Sequence, residues 1–302
     1  MDTEIYKLLE RIACALEKIA ISMDKTNSEI KNSEINNITP SNNTETNLEK
    51  NNTTNVSDMS EEISVSVLIE KLAQVEISVK TYPEREEEKE QLNNLAKFMG
   101  SKYTSIKQVY ALIKSNLNTQ RGFFLNLRAA TQKEISDSCQ FCNMLHNIAF
   151  LSSYKYDKSP KFCIHATPNA IPQAINFLTG HWLEIFVKVT VIEHIRSLKR
   201  NVQYTYLINP QIILPNGNDF ELDLLFLIDN ELFWIEAKTG NYQNYIHKYS
   251  QIADIMGINQ SRAILLLTEP PSKESISILN CSFDMTVVGV NEFENLIDEI
   301  IK

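Results

Sequence analysis

Asp223, Glu236 and Lys238 have the types and spacing to act on a phosphodiester. Asp223 lies in Glu221-Leu222-Asp223-Leu224-Leu225, and twelve residues separate it from Glu236-Ala237-Lys238. Residues two apart on a strand share a face, so Glu236 and Lys238 point the same way. A hairpin turn at Asp229-Asn230 lays the two segments side by side, bringing Asp223 to Glu236 at one end. Glu184, in Gly180-His181-Trp182-Leu183-Glu184, opens a helix able to pack across them. Two or three carboxylates bind a hard divalent cation such as Mg²⁺. Such a cation polarises a phosphodiester and acidifies a bound water, while a lysine on the same face orients that water and offsets developing charge. Leu222, Leu224, Phe226, Phe233 and Ile235 around the set are apolar. Buried there without a cation, Asp223 and Glu236 against one Lys238 would leave net negative charge. Glu221, read as sharing a face with Asp223, is a supporting or second-metal candidate, or else a solvated carboxylate. Lys248 is either a phosphate contact or a plain surface lysine.

The elements that must position these groups run in the order αβββαβ. A helix is predicted over 180–198, strands at about 203–214, 220–228 and 232–238, a helix over 242–256 and a strand at 263–267. A further helix, a strand at 286–288 and a last helix close the chain. Asn216-Gly217-Asn218 and Asp229-Asn230 supply the turns between strands. Glu184 on the first helix, Asp223 on the second strand and Glu236-Ala237-Lys238 on the third resemble the PD-(D/E)xK nuclease superfamily, with its restriction-endonuclease-like α/β core. More narrowly, Gly-His-Trp-Leu-Glu, Glu-Leu-Asp and Glu-Ala-Lys-Thr-Gly look like the effector domain of CRISPR-associated nucleases fused to a CARF sensor. The resemblance covers about residues 177–270. It implies Mg²⁺ or Mn²⁺ on Glu184, Asp223, Glu236 and the Ala237 carbonyl, with Lys238 positioning water. It further implies cleavage of DNA or RNA, often single-stranded, in defence against mobile elements. Leu222 stands where the loose motif proline is expected, and residues 1–176 show no CARF-like βα alternation, so no cyclic-nucleotide sensor is visible.

Ile5, Leu9, Ile12, Leu16, Ile19 and Met23 form a heptad seam within 1–24, which predicts a homo-oligomer through residues 3–24, or a single helix docked on the body. The Asn-rich stretch 25–60 reads as a disordered tether. Residues 61–100 read as an acidic helical segment interrupted at Tyr82-Pro83, and 177–302 as the nuclease domain. Residues 101–176 read as a mainly helical, winged-helix-like module. In it, Thr131-Gln132-Lys133-Glu134 is a capping box, Cys139 to Ile148 a recognition helix, and Asp157-Lys158-Ser159-Pro160 the tip of a wing. Residues 101–170 hold nine basic and three acidic residues within a chain of net charge −9. Lys133, Lys155, Lys158 and Lys161 are its candidate nucleic-acid contacts.

Other chemistries find less support. The seven glycines are nowhere closer than seventeen residues, which excludes GxGxxG, GxxxxGK[ST] and GxSxG loops. Cys139, Cys142, Cys163 and His165 have zinc-like spacing, but buried cysteines explain them equally well. No signal peptide or membrane span is expected, so a cytoplasmic location is. Two other readings remain open on the residues alone. One is a nucleic-acid-binding replication or regulatory factor that does not cut; the other is an oligomeric scaffold.

Overall fold

The structure, a computed structural model, describes residues 60–84 and 89–302. The chain divides into two units, Met1–Ser57 and Asp58–Lys302. The expected helix at 3–24 and nearly all of the 25–60 tether lie outside the described residues.

In the second unit, β1 (Glu61–Glu62), α1 (Val65–Ala73), β2 (Ser78–Thr81) and α2 (Glu90–Asn116) come first. They are followed by β3 (Phe123–Asn126), α3 (Gln132–Asn147), β4 (Leu151–Asp157) and β5 (Cys163–Pro168). Helix α4 (Pro172–Asn176) passes through a π turn at Phe177–His181 into α5 (Trp182–Ser197). Then come β6 (Gln203–Ile208), β7 (Gln211–Ile213), β8 (Asp219–Glu221), β9 (Leu224–Ile228) and β10 (Glu231–Lys238). The chain ends with α6 (Ile246–Ile255), β11 (Ala263–Leu267), α7 (Lys273–Ser282), β12 (Thr286–Gly289) and α8 (Phe293–Ile300).

A six-stranded mixed sheet in the order β1-β6-β9-β10-β11-β12 organises the fold. β6, β9 and β10 are antiparallel neighbours, while β10, β11 and β12 run parallel. Both faces of its centre are buried, so β9 and β11 are apolar at every position rather than at alternate ones. Leu224, Phe226, Ile228, Phe233 and Ile235 face a core built with α2, α3, α5 and α8. Leu225, Leu227, Leu232 and Trp234 face a second core built with α1 and α6. The expected αβββαβ order is realised by α5, β6, β9, β10, α6 and β11.

The strands predicted at 203–214 and 220–228 are each broken in two. Pro210 carries no N–H for a ladder, and Asn209 before it adopts φ +49°, a left-handed conformation that asparagine tolerates better than most residues. β7 and β8 therefore leave the main sheet and pair with each other, β7 also pairing with β2, in a separate three-stranded sheet. Residues 61–100 are likewise not helical throughout, since β1 and β2 lie within them. Alternating Ile77, Val79 and Thr81 are β-branched and suit a strand.

Residues 132–147 form one uninterrupted helix where a turn before a recognition helix at Cys139 was expected. No Gly or Pro breaks the segment, and Phe141, Cys142 and Leu145 continue its buried stripe. The capping box at its start is present: the Glu134 N–H donates to Thr131 Oγ1 (3.2 Å), and the Thr131 N–H donates to Glu134 Oε2 (2.7 Å). β4 and β5 make the expected hairpin, and β3 completes a sheet in the order β3-β5-β4.

Helix α5 is wedged between α2 and the main sheet, with Trp182, Leu183, Phe186, Val187, Val191 and Ile195 essentially inaccessible. By length and composition alone the run Pro172–Ser197 would cross a bilayer; here it is a core helix. Helix α2 approaches it closely at Gly100, where any side chain would collide with the Phe186 ring.

Candidate active site

The β9–β10 hairpin sets the register Leu224 opposite Ile235, which brings Asp223 to the level of Glu236. Asp223 itself sits in the bend between β8 and β9 rather than inside a strand. Freed from the ladder there, its carboxylate turns onto β10. Asp223 Oδ2 accepts from the Ala237 N–H (2.8 Å) and from Lys238 Nζ (2.8 Å). Glu236 Oε1 accepts from the Asp223 N–H (3.0 Å) and from Trp234 Nε1 (3.0 Å), and Glu236 Oε2 lies 3.0 Å from Lys238 Nζ. Trp234, Glu236 and Lys238 are two residues apart, so all three share one face of β10.

Glu236 is 1% exposed, and Asp223 and Lys238 are 13% and 27% exposed at their side chains. Burial, and then the Asp223 carboxylate, raise the Glu236 pKa above the usual carboxylate range. Burial alone would lower Lys238, yet Glu236 and Asp223 outweigh it and hold the ammonium firmly protonated. Tyr249 of α6 packs its ring 5.7 Å from Lys238 Nζ, and its hydroxyl is pushed up to about 12 by burial and then by Glu236. The arrangement is a nearly dry ion cluster of two carboxylates and one ammonium at the end of a rigid sheet.

Glu184 reaches this region from α5, on the opposite side of the sheet. Its Oε2 accepts from Asn209 Nδ2 (3.0 Å) and lies 2.9 Å from His181 Nδ1. The Asn209 N–H donates to the Asp223 carbonyl (2.9 Å), so Asn209 ties Glu184 to the residue that carries the second carboxylate. A cavity of about 740 Å³ opens beside Glu184, with His181, Lys188, Arg196 and Asn209 in its wall. Among the described residues, no three His, Cys, Asp or Glu side chains stand close enough to hold one metal ion together. Asp223 and Glu236 are thus brought together with Lys238, and Glu184 stands one residue away.

The other candidate residues lie elsewhere. Glu221 ends β8 and accepts from Gln211 Nε2 across the β7–β8 pair. Lys248 rests over the Phe220 ring, 4.6 Å from its centre. Lys133 is bonded to Asp137 (2.7 Å) and Ser105 (2.9 Å) on the α3 side. Lys155 and Lys161 lie 2.8 and 3.8 Å from Asp157, and Lys158 is exposed in the β4–β5 turn. Cys139, Cys142, Cys163 and His165 do not gather into a ligand set: Cys142 is buried in the core, and His165 faces Asp157 at 3.4 Å.

Asn209, Trp234 and Tyr249 escaped the sequence reading. Asn209 had a visible signal in the dipeptide Asn209-Pro210, which interrupts an apolar run. Trp234 and Tyr249 had none beyond apolar character.

No family model matches the chain, and no curated relative does. Solved structures share its fold, two of them as follows. Protein VC1899 from Vibrio cholerae superposes with a TM-score of 0.53 at 18% identity, over 83% of this chain and 63% of that one. Can2 from Sulfobacillus thermosulfidooxidans, in complex with cyclic tetra-adenylate, superposes with a TM-score of 0.54 at 14% identity. That match covers 78% of this chain and 59% of Can2. The chain thus spans about three fifths of the length of the two structures, and at these identities the likeness is one of fold.

Proposed function

We propose that the chain is a metal-dependent nuclease of the PD-(D/E)xK type, hydrolysing phosphodiester bonds in DNA or RNA. The observation that carries this reading is the convergence of Asp223, Glu236 and Lys238 within hydrogen-bonding distance at one end of the β9–β10 hairpin. The order of α5, β6, β9, β10, α6 and β11 supports a restriction-endonuclease-like core. The fold likeness to Can2 supports a CRISPR-associated, nuclease-like protein.

The donor set suits a hard cation of the Mg²⁺ or Mn²⁺ kind. It is made of oxygen donors alone, and the two carboxylates outnumber the ammonium beside them by one. Asp223 and Glu236 would hold the ion with the Ala237 carbonyl, and Glu184 would support it from behind Asn209. When bound, such an ion activates water and polarises a phosphoryl oxygen. The chain's own groups do the rest. Trp234 Nε1 and the Asp223 N–H fix the Glu236 carboxylate, and the Ala237 N–H fixes that of Asp223. Lys238, kept charged by both, orients the attacking water and offsets charge gathering on the phosphate. The basic stretch 101–170 would hold the substrate strand, and self-association through 3–24, a cytoplasmic setting and a role in defence complete the proposal.

The test is cleavage of plasmid and single-stranded DNA and RNA with Mg²⁺, Mn²⁺ or EDTA. Asp223→Ala and Lys238→Ala, with folding checked by circular dichroism, should each lower the rate by about 100-fold or more. Equal cleavage by all three proteins, or none by the unaltered chain with either metal, would overturn the proposal. Salt-sensitive binding without cleavage would then favour the non-cutting nucleic-acid-binding factor, and no binding at all the scaffold.

A further inference from the structure

The β3-β5-β4 sheet has one buried and one open face. Its register aligns Phe124 with His165, and His165 with Lys155, in one row across the three strands on the open side. Phe124 is 67% exposed, although a phenylalanine in a strand ordinarily turns inward. The Phe124 and His165 rings are 6.4 Å apart and within 29° of parallel, so their faces are presented in nearly the same direction. Around them lies a shallow groove of about 440 Å³, with Gly122 and Thr167 among its lining residues. A side chain at Gly122 would press on the Thr167 hydroxyl, so the absence of one keeps that end open.

The charge at this face is one-sided. Asp157 is flanked by Lys155 (2.8 Å), Lys161 (3.8 Å) and His165 (3.4 Å), and the two lysines are well exposed. One carboxylate does not balance them, and residues 101–170 as a whole carry six positive charges in excess. Exposed π-faces beside exposed ammonium groups on an open sheet are the chemistry that takes unpaired bases with their phosphates. A duplex keeps its bases stacked inside and would meet only the lysines.

We propose that this open face binds single-stranded nucleic acid, with Phe124 and His165 stacking on unpaired bases and Lys155 and Lys161 contacting the backbone. The site lies apart from the Asp223–Glu236–Lys238 cluster and stands whether or not the chain cuts.

The experiment is fluorescence anisotropy in EDTA, where no metal-dependent cleavage occurs. Its probes are labelled oligo-dT, oligo-rU and a blunt duplex of equal length. Phe124→Leu keeps an apolar side chain but removes the ring, and should weaken single-strand binding by about tenfold while leaving duplex binding unchanged. Phe124→Tyr should bind like the unaltered chain, and His165→Ala should act in the same direction as Phe124→Leu. Unfolding midpoints confirm that each variant is folded. The proposal is overturned if Phe124→Leu binds single strands as tightly as the unaltered chain, or loses duplex and single strand alike. It is also overturned if the unaltered chain binds no single strand. Cleavage assayed separately with metal keeps this outcome distinct from that of the nuclease reading.

Discussion

Glu236 is the residue on which stability and chemistry pull in opposite directions. Its carboxylate is almost wholly removed from water and shares one ammonium with Asp223. Its raised pKa means that the folded state favours the protonated form. The stability this contributes is present in full below the pKa of the unfolded chain, and is lost as pH rises through the folded value. Glu236→Gln removes that dependence while still offering a carbonyl to Trp234 and the Asp223 N–H. In EDTA its urea midpoint should therefore gain on the unaltered chain as pH rises, even though cleavage with metal falls to background. A variant that loses ground at alkaline pH would contradict this account. Trp234→Phe is the converse case: it leaves a buried carboxylate oxygen short of a donor and should cost about 1–3 kcal/mol in urea unfolding. The pair Glu236 and Lys238 was legible in the sequence because strand parity alone puts them on one face. For Glu221 parity decides less, because β8 gives way to a bend at Asp223. Asn209-Pro210 marks a break in the strand, but the tie of Asn209 to Glu184 and Asp223 depends on α5 and the start of β9 arriving at one place, which the dipeptide does not record.

At the scale of elements, helix periodicity and apolar runs were sufficient to find α5, β10 and β11, whereas the boundary drawn between residues 100 and 101 falls inside α2. What they could not show was where strands break, because Asn209-Pro210 and Leu222-Asp223 sit inside otherwise continuous apolar stretches. Nor could they show that Gln132–Asn147 is one helix, since the same residues fit two shorter ones. The capping box was readable because it is wholly local, so its contribution can be tested locally. Thr131→Ala should cost about 1 kcal/mol, read as a lower urea midpoint. Gly100 is a different kind of position, set by the approach of α2 to α5 rather than by a turn. Gly100→Val places atoms where the Phe186 ring already stands and should cost about 1–3 kcal/mol, seen as a melting temperature several degrees lower. An unchanged melting temperature would mean that the two helices are not packed this closely.

For the molecule as a whole, two cores on either side of one sheet account for the described residues from Leu68 to Ile301. A chain comprising residues 58–302 should therefore unfold in the same cooperative transition, at the same midpoint, as the full chain. A large loss of stability on removing residues 1–57 would show that the second unit depends on the first. The enclosure of α5 has one more consequence, for biosynthesis. The run Pro172–Ser197 leaves the ribosome before β6 to β12, the strands that will cover it. At about 5–20 residues per second, the last hundred or so residues take roughly 5–20 s to follow. For that interval a segment apolar enough for a bilayer has only the earlier elements, α2 among them, to pack against.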